Sequence, residues 1–479
     1  MNKLKVKATK ESKVVSKKMN DGFTPKDLKR GSPIQVFYSG NSKTFPTISH
    51  AKGLYMWDTN GKKYFDASSG PVATNLGHAN SSVLEAMRIQ SEKVCFASYS
   101  VFESEPNKTL AKNLIELAGP NFDQAFIVSG GSEAIESAFK LAKQYAVAIG
   151  EPKRSKILSR DVSYHGSTLG AFAASGDPET EKAFGSMVKL MPKVKTPFSY
   201  RVPQNYDVDS FARECVKNLE DTIIEEGAES ILAFIVESVG GLATGALVAP
   251  DFYYEAIRKI CSKYGILLIF DDVMAGAGRT GTFLSAQHWP QANPDLVVLA
   301  KGISAGYTPL GAVLAPNKIV KEVVKSGGFL HGHTYVANPL SCAVANAVVT
   351  EMIDADLINN ASVMGKYLKD RLKELADKTE IIGDVRGKGL LLAIEIIKNK
   401  KTKEILPSNA RAVYRLLEIG VEEGILLYTR KTSGGIYGEW VMVTPALNIN
   451  KNEVDELIYL LARAIIKLED ELRLDNFLI

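Results

Sequence analysis

Three short segments place reactive side chains where the chain is about to turn. Lys301 follows the apolar run Leu296-Val297-Val298-Leu299-Ala300, so a lone lysine stands at what reads as a strand end. An amine buried there is costly unless it is neutral or covalently engaged, and either state suits a base or a nucleophile. Asp271 and Asp272 close a second apolar run, Ile266 to Phe270. Carboxylates in that position need a partner, and Arg279 in the loop Gly276-Ala277-Gly278-Arg279-Thr280-Gly281 is the nearest cation in sequence. A metal pair is the other reading, but no nearby histidine supplies further ligands. In the third segment Phe126-Ile127-Val128 leads through Ser129-Gly130-Gly131-Ser132 into a helix-forming stretch. Unpaired first-turn amides and the helix dipole favour an anion there by up to ~2 kcal/mol. An ordinary strand-to-helix turn with a serine cap has the same pattern, so this segment alone does not decide.

The elements that must position these groups alternate. Strand-like runs are Ala125 to Val128, Lys156 to Ser159, Ile231 to Glu237, Ile266 to Asp271, Leu296 to Leu299 and Gly311 to Leu314. Helical patterns lie between them, at Thr109 to Leu117, Ser132 to Ala148, Asp209 to Glu225 and Phe252 to Tyr264. Apolar strands separated by helices predict an α/β fold with a mainly parallel sheet covered on both faces, and ligands gather at the strand C-termini of such sheets. Residues 53–65 read as an antiparallel hairpin around Asp58-Thr59-Asn60-Gly61. After His331 the chain is helix-rich, at Pro339 to Ile353, Ala355 to Lys378, Ala410 to Glu423 and Lys451 to Leu472, with a strand near Leu390 to Ile397. The expected organisation is an arm and hairpin over residues 1–75, a large domain over 76–336, and a second part of a smaller α+β domain over 337–479, on which the hairpin packs.

At 479 residues and 45% hydrophobic content, the chain can fill large cores. Its 58 Lys plus Arg against 54 Asp plus Glu create no field that favours nucleic acid or an anionic membrane. Cys95, Cys215, Cys261 and Cys342 are scattered, which argues against zinc or a disulfide frame and predicts buried free thiols in a reducing, cytoplasmic compartment. The lysines from Lys3 to Lys18 precede no signal-like apolar stretch and read as a mobile arm. No apolar run approaches the roughly 20 residues of a membrane helix.

Taken together, the segments resemble class III aminotransferases, the fold-type-I pyridoxal-phosphate enzymes, from about Gly53 to Leu460. The resemblance rests on five motifs in family order. They are Ser129-Gly130-Gly131-Ser132-Glu133-Ala134, Tyr164-His165-Gly166-Ser167-Thr168, Asp271-Asp272-Val273-Met274 with Gly278-Arg279-Thr280-Gly281, Ala300-Lys301-Gly302, and His331-Gly332-His333-Thr334-Tyr335. It implies a seven-stranded, mainly parallel sheet between helices and a smaller domain built from both termini. It also implies pyridoxal 5'-phosphate held by Lys301 as a Schiff base, with Lys301 then serving as base and acid for the proton shift. Asp271 would face the pyridine nitrogen, Val273 and Tyr164 the ring faces, and Gly131 and Ser132 the phosphate. Thr334 would reach the phosphate of a neighbouring subunit, which implies a homodimer with shared sites and leaves a tetramer open. Glu237 matches an acidic residue near cofactor and substrate arginine, where a salt bridge is expected. His165, Arg279, His331 and His333 are expected to be scaffold.

The departures concern substrate. Asp272, Ser238 and Met274 stand where relatives commonly carry Glu, Pro and Gln. The carboxylate-clamping arginine of ornithine- and aminobutyrate-type relatives falls on Met442, and the mobile arginine of amine-specific relatives on Gly435. Arg430 or Lys431 is the available substitute, the plainer reading being solvated loop charges. Without a bidentate clamp, pyruvate is favoured over 2-oxoglutarate as acceptor. Val72 aligns with a bulky aromatic of some relatives and predicts a wider donor pocket. The expected activity is transfer of an amino group from an amine or ω-amino acid to a 2-oxo acid. An aminomutase or racemase of the same fold is the alternative.

Overall fold

The computed structural model describes residues 46–430, 435 and 437–478; the basic segment from Lys3 to Lys18 and Lys431 lie outside them. The chain opens with β1 (Ile48–Lys52), β2 (Tyr55–Asp58) and β3 (Lys63–Asp66), antiparallel neighbours in that order. The turn between β2 and β3 is held by the Asp58 carboxylate, which accepts the amides of Asn60 at 2.8 Å and Lys62 at 3.0 Å.

The central sheet contains β4 (Gln124–Val128), β5 (Lys156–Arg160), β6 (Lys193–Val194), β7 (Ile231–Val236), β8 (Leu267–Asp271), β9 (Leu296–Ala300) and β10 (Gly311–Ala315). Its order is β4-β10-β9-β8-β7-β5-β6. β10 alone runs against its neighbours, so the sheet is mainly parallel, as the alternation predicts. Successive strand residues serve opposite faces. Ile269, Val298 and Val313 pack with Ala134, Ala138 and Leu141 of the helix Gly131–Ala148. Leu268, Phe270, Val297 and Leu299 pack with Leu219 and Ile223 of the helix Val208–Glu226 and with Tyr253 and Ile257 of Asp251–Lys263. A run apolar at every position is therefore what burial on both faces requires.

A third sheet is formed by β11 (Ile382–Lys388), β12 (Leu391–Ile396) and β14 (Glu439–Val443), antiparallel throughout. β13 (Ile425–Leu426) adds to β3 in parallel, so the opening hairpin joins the C-terminal part of the chain. The Thr444 amide donating to the Ala67 carbonyl at 2.7 Å strengthens that join. Cys215, Cys261 and Cys342 are buried free thiols, but Cys95 is exposed, because it follows the helix Ser81–Lys93 on a surface loop. No helix among the described residues is long and apolar enough to cross a membrane.

Candidate active site

The C-terminal ends of β4, β7, β8 and β9 converge on a cavity of about 550 Å3. Lys301 is the first residue after β9, in the left-handed region at φ 45°. A non-glycine residue there stores roughly 1–3 kcal/mol of strain, which the surrounding fold must override. Burial drives the Lys301 amine down to about 8, against the opposing pull of Asp271 and Glu237. Near pH 7 about a tenth of the amine is then neutral, far more than an ordinary lysine provides.

Asp271, the last residue of β8, is buried. Its Oδ2 lies 2.8 Å from His165 Nδ1, and its Oδ1 accepts the Val273 amide at 3.1 Å. His165 is itself buried, and its Nε2 has no partner among the described residues. The ring contacts Asp271 through Nδ1, which is the kind of scaffold contact expected of it. Glu237 follows β7. Its carboxylate accepts the amides of Gly241 at 2.9 Å and Tyr164 at 3.2 Å, with burial pushing its pKa up. Among the described residues Glu237 forms no salt bridge; its two oxygens accept backbone amides instead.

The helix Gly131–Ala148 begins after Gly130 with no side-chain cap, leaving first-turn amides free toward the cavity. Glu133 instead accepts the Ser129 amide at 2.9 Å. Ser132 Oγ accepts the Ser167 amide at 3.0 Å, so the hydroxyl proton is available to an anion. A Cβ on Gly131 would stand 3.1 Å from Val273 Cγ1, so glycine keeps the approach to the cradle open. Gly131, Ser132, Tyr164, Glu237, Asp271, Val273 and Lys301 all line the cavity.

Other expected residues lie elsewhere. Arg279 pairs with neither Asp271 nor Asp272. It is wholly buried, donating to Asn75 Oδ1 at 2.6 Å and to the Leu390 and Pro445 carbonyls, and burial lowers it to about 9. It fastens the site loop to the third sheet. Asp272 turns away toward Ser285 and Ser238, and burial raises it to about 6. Val72 does not line the cavity: its side chain is buried in the main core, and its neighbours Pro71 and Ala73 form that wall. Thr334 is exposed and lies in a separate recess with Phe96, Ser98 and Tyr99. Met442 is buried in β14.

Arg430 lines the cavity and is not a solvated loop charge. Its guanidinium pairs with the buried Asp177 and lies 5.4 Å from the centroid of the Tyr164 ring. Leu242, Ala243, Tyr307 and Tyr428 also line the wall, and sequence reasoning passed over them because loop residues carry no periodicity.

An amine and a carboxylate at adjacent strand ends, beside an uncapped helix terminus, are what an α/β enzyme needs for amine and proton chemistry next to an anion. The family model for aminotransferase class III matches residues 37–465. An uncharacterised aminotransferase of Bacillus subtilis is 36% identical over 91% of this chain and 98% of its own length. The putrescine–pyruvate aminotransferase of Pseudomonas aeruginosa is 31% identical over 89% of this chain and 92% of its own. A solved thermostable (S)-enantioselective omega-transaminase from Thermomicrobium roseum superimposes with a TM-score of 0.82 at 34% identity, covering 97% of this chain and all of that one. The chain belongs to the class III aminotransferases and is an enzyme of that family, whose members work with pyridoxal phosphate, amine donors and keto acid acceptors.

Proposed function

We propose that this enzyme is a pyridoxal-phosphate transaminase that moves an amino group from an amine or ω-amino acid to a 2-oxo acid, pyruvate being favoured over 2-oxoglutarate. The observation that carries this reading is the desolvated Lys301 amine facing Asp271 across a cavity with a free helix N-terminus. The donor set fits the cofactor: a nucleophilic amine, a carboxylate held by a histidine, and amides for a phosphate. When bound, pyridoxal phosphate supplies an electron sink for the charge left at the substrate carbon. Lys301 anchors it covalently, then takes and returns the proton at that carbon. Asp271, oriented by His165, keeps the pyridine nitrogen protonated. Gly131 and Ser132 bind the phosphate, and Tyr164 and Val273 pack against the ring. Glu237 sets the position of Tyr164 through its backbone amide.

The acceptor preference follows from cation supply. Lys301 and Arg430 are the only Lys or Arg side chains lining the cavity among the described residues, and Lys301 is committed. Arg430 is then left to receive one carboxylate, which pyruvate has, whereas the second carboxylate of 2-oxoglutarate finds no partner. Pyruvate is the acceptor for which the Pseudomonas relative is named, which supports this choice. The donor pocket is bounded by Pro71 and Ala73.

The enzyme acts as a cytoplasmic homodimer with shared sites. Val101 is 71% exposed, Phe102 64%, Leu330 82% and Tyr335 59%, a large apolar surface for a single copy to leave in water. Thr334 sits beside Tyr335 and outside its own chain's cavity, as a residue serving a partner's phosphate must. Free thiols fit a reducing compartment. A panel of amines and ω-amino acids run against pyruvate and 2-oxoglutarate, with the keto product measured, tests the assignment. Exclusive turnover with 2-oxoglutarate would overturn the acceptor preference.

A further inference from the structure

Asp177 is a buried carboxylate paired with the cavity-lining Arg430, and none of the roles above accounts for it. We propose that Asp177 competes with the substrate carboxylate for Arg430, and so sets how the site balances a 2-oxo acid against a donor that carries no carboxylate. This rests on the reading of Arg430 as the carboxylate receptor.

The placement comes from backbone pairing. Ser163 and Gly176 exchange two hydrogen bonds, at 3.1 and 3.0 Å, in an antiparallel bridge that fixes the backbone leading into both Tyr164 and Asp177, the two residues that Arg430 meets. Glycine is required at 176, where a Cβ would lie 2.5 Å from the Arg160 carbonyl oxygen. Asp177 is anchored: its Oδ1 accepts the Glu179 amide at 3.3 Å as N-cap of the helix Pro178–Phe184, and its Oδ2 faces Arg430. Arg430 reaches the pair on a long side chain that is 32% exposed, against 5% for Asp177. The arginine can therefore move or share its donors, while the aspartate stays.

A guanidinium beside an aromatic wall with no anion would be a poorly solvated charge whenever a plain amine occupied the cavity. Asp177 neutralises it in that state. When a 2-oxo acid enters, its carboxylate must displace Asp177 or divide the guanidinium fork with it, and two carboxylates at one cation repel each other. Acid binding is weakened and plain-amine binding is not.

Asp177→Asn keeps the cap acceptor and removes the charge. The KM for pyruvate should fall about tenfold, or about 1.4 kcal/mol, while the KM for a primary amine lacking a carboxylate moves less than about twofold. Calorimetry should show the Kd of benzoate, an unreactive carboxylate, falling in parallel. Asp177→Ser, also a good cap, should repeat the pattern. Joint movement of both KM values, or tighter amine binding with no change for pyruvate, overturns the proposal and leaves Asp177 a structural cap. Arg430→Gln separates the two levels. It should raise the pyruvate KM and erase the effect of Asp177→Asn. An unchanged pyruvate KM in Arg430→Gln sinks the receptor reading and this proposal with it. A sensitive Arg430 with an inert Asp177→Asn sinks this proposal alone.

Discussion

The cavity floor is assembled from residues at or just past the ends of β4, β7, β8 and β9, whereas its wall comes from loops at Pro71, Leu242, Tyr307 and Arg430. On the floor, each functional side chain is rooted at or within a few residues of a strand end of the central sheet, so its backbone is held as rigidly as the sheet. On the wall, position depends on side-chain contacts between distant segments. Arg430 pairs with Asp177 and stacks near Tyr164, and Trp440 donates to the Leu242 carbonyl at 2.7 Å. The difference assigns chemistry to the rigid part and substrate choice to the adjustable one.

The largest expected effect is on the floor. Lys301→Ala should lower turnover by roughly 10^4-fold and abolish the visible absorbance of bound cofactor, with circular dichroism unchanged. Retained turnover would end the assignment. Asp271→Asn should cost roughly 10^2-fold in kcat, since a neutral amide cannot hold the charged ring nitrogen, while the melting temperature moves little. A large melting shift with normal kcat would make Asp271 structural. Ser132→Ala should raise the cofactor dissociation constant about tenfold by removing one hydroxyl donor from a phosphate.

The floor also makes a pH prediction. Only a neutral amine condenses with an aldehyde, and burial lowers Lys301 from 10.5 to about 8. Cofactor loading of the apoenzyme should therefore accelerate with pH and level off above about 8; a rise continuing to the ordinary lysine range would mean the amine is solvated. The smallest effect on chemistry belongs behind the wall. Val72→Ala should cost about 1–3 kcal/mol of stability and leave the range of accepted donors unchanged, while Ala73→Val narrows it. A widened donor range in Val72→Ala would return Val72 to the wall.

Most of the floor was legible in the sequence. Runs such as Leu296–Ala300 are apolar at every position because both faces are buried, and the polar residue that ends each run marks the sheet edge. The strands β11 and β14 were missed for the opposite reason. Asp384 and Arg386 interrupt β11, and Arg386 is tolerated there because it meets Glu395 on β12 and the Gly245 carbonyl at 2.6 Å. Glu439 and Trp440 open β14 without alternation, since both are buried. His165 was visible in its motif, but its contact with Asp271 spans 106 residues and no local pattern reports it.

The amino-acid sequence by itself determined most elements of the central sheet, the sheet type and the residues at its strand ends, because periodicity, glycine turns and helix starts are local properties of a chain. Only the tertiary structure decided the partners. It sent Arg279 to Asn75 and the Pro445 carbonyl, turned Asp272 toward Ser285, buried Val72, and brought Arg430 to Asp177 across 253 residues. Charges carry no address in sequence. Their partners follow from which buried polar atoms remain unsatisfied once the apolar faces have packed.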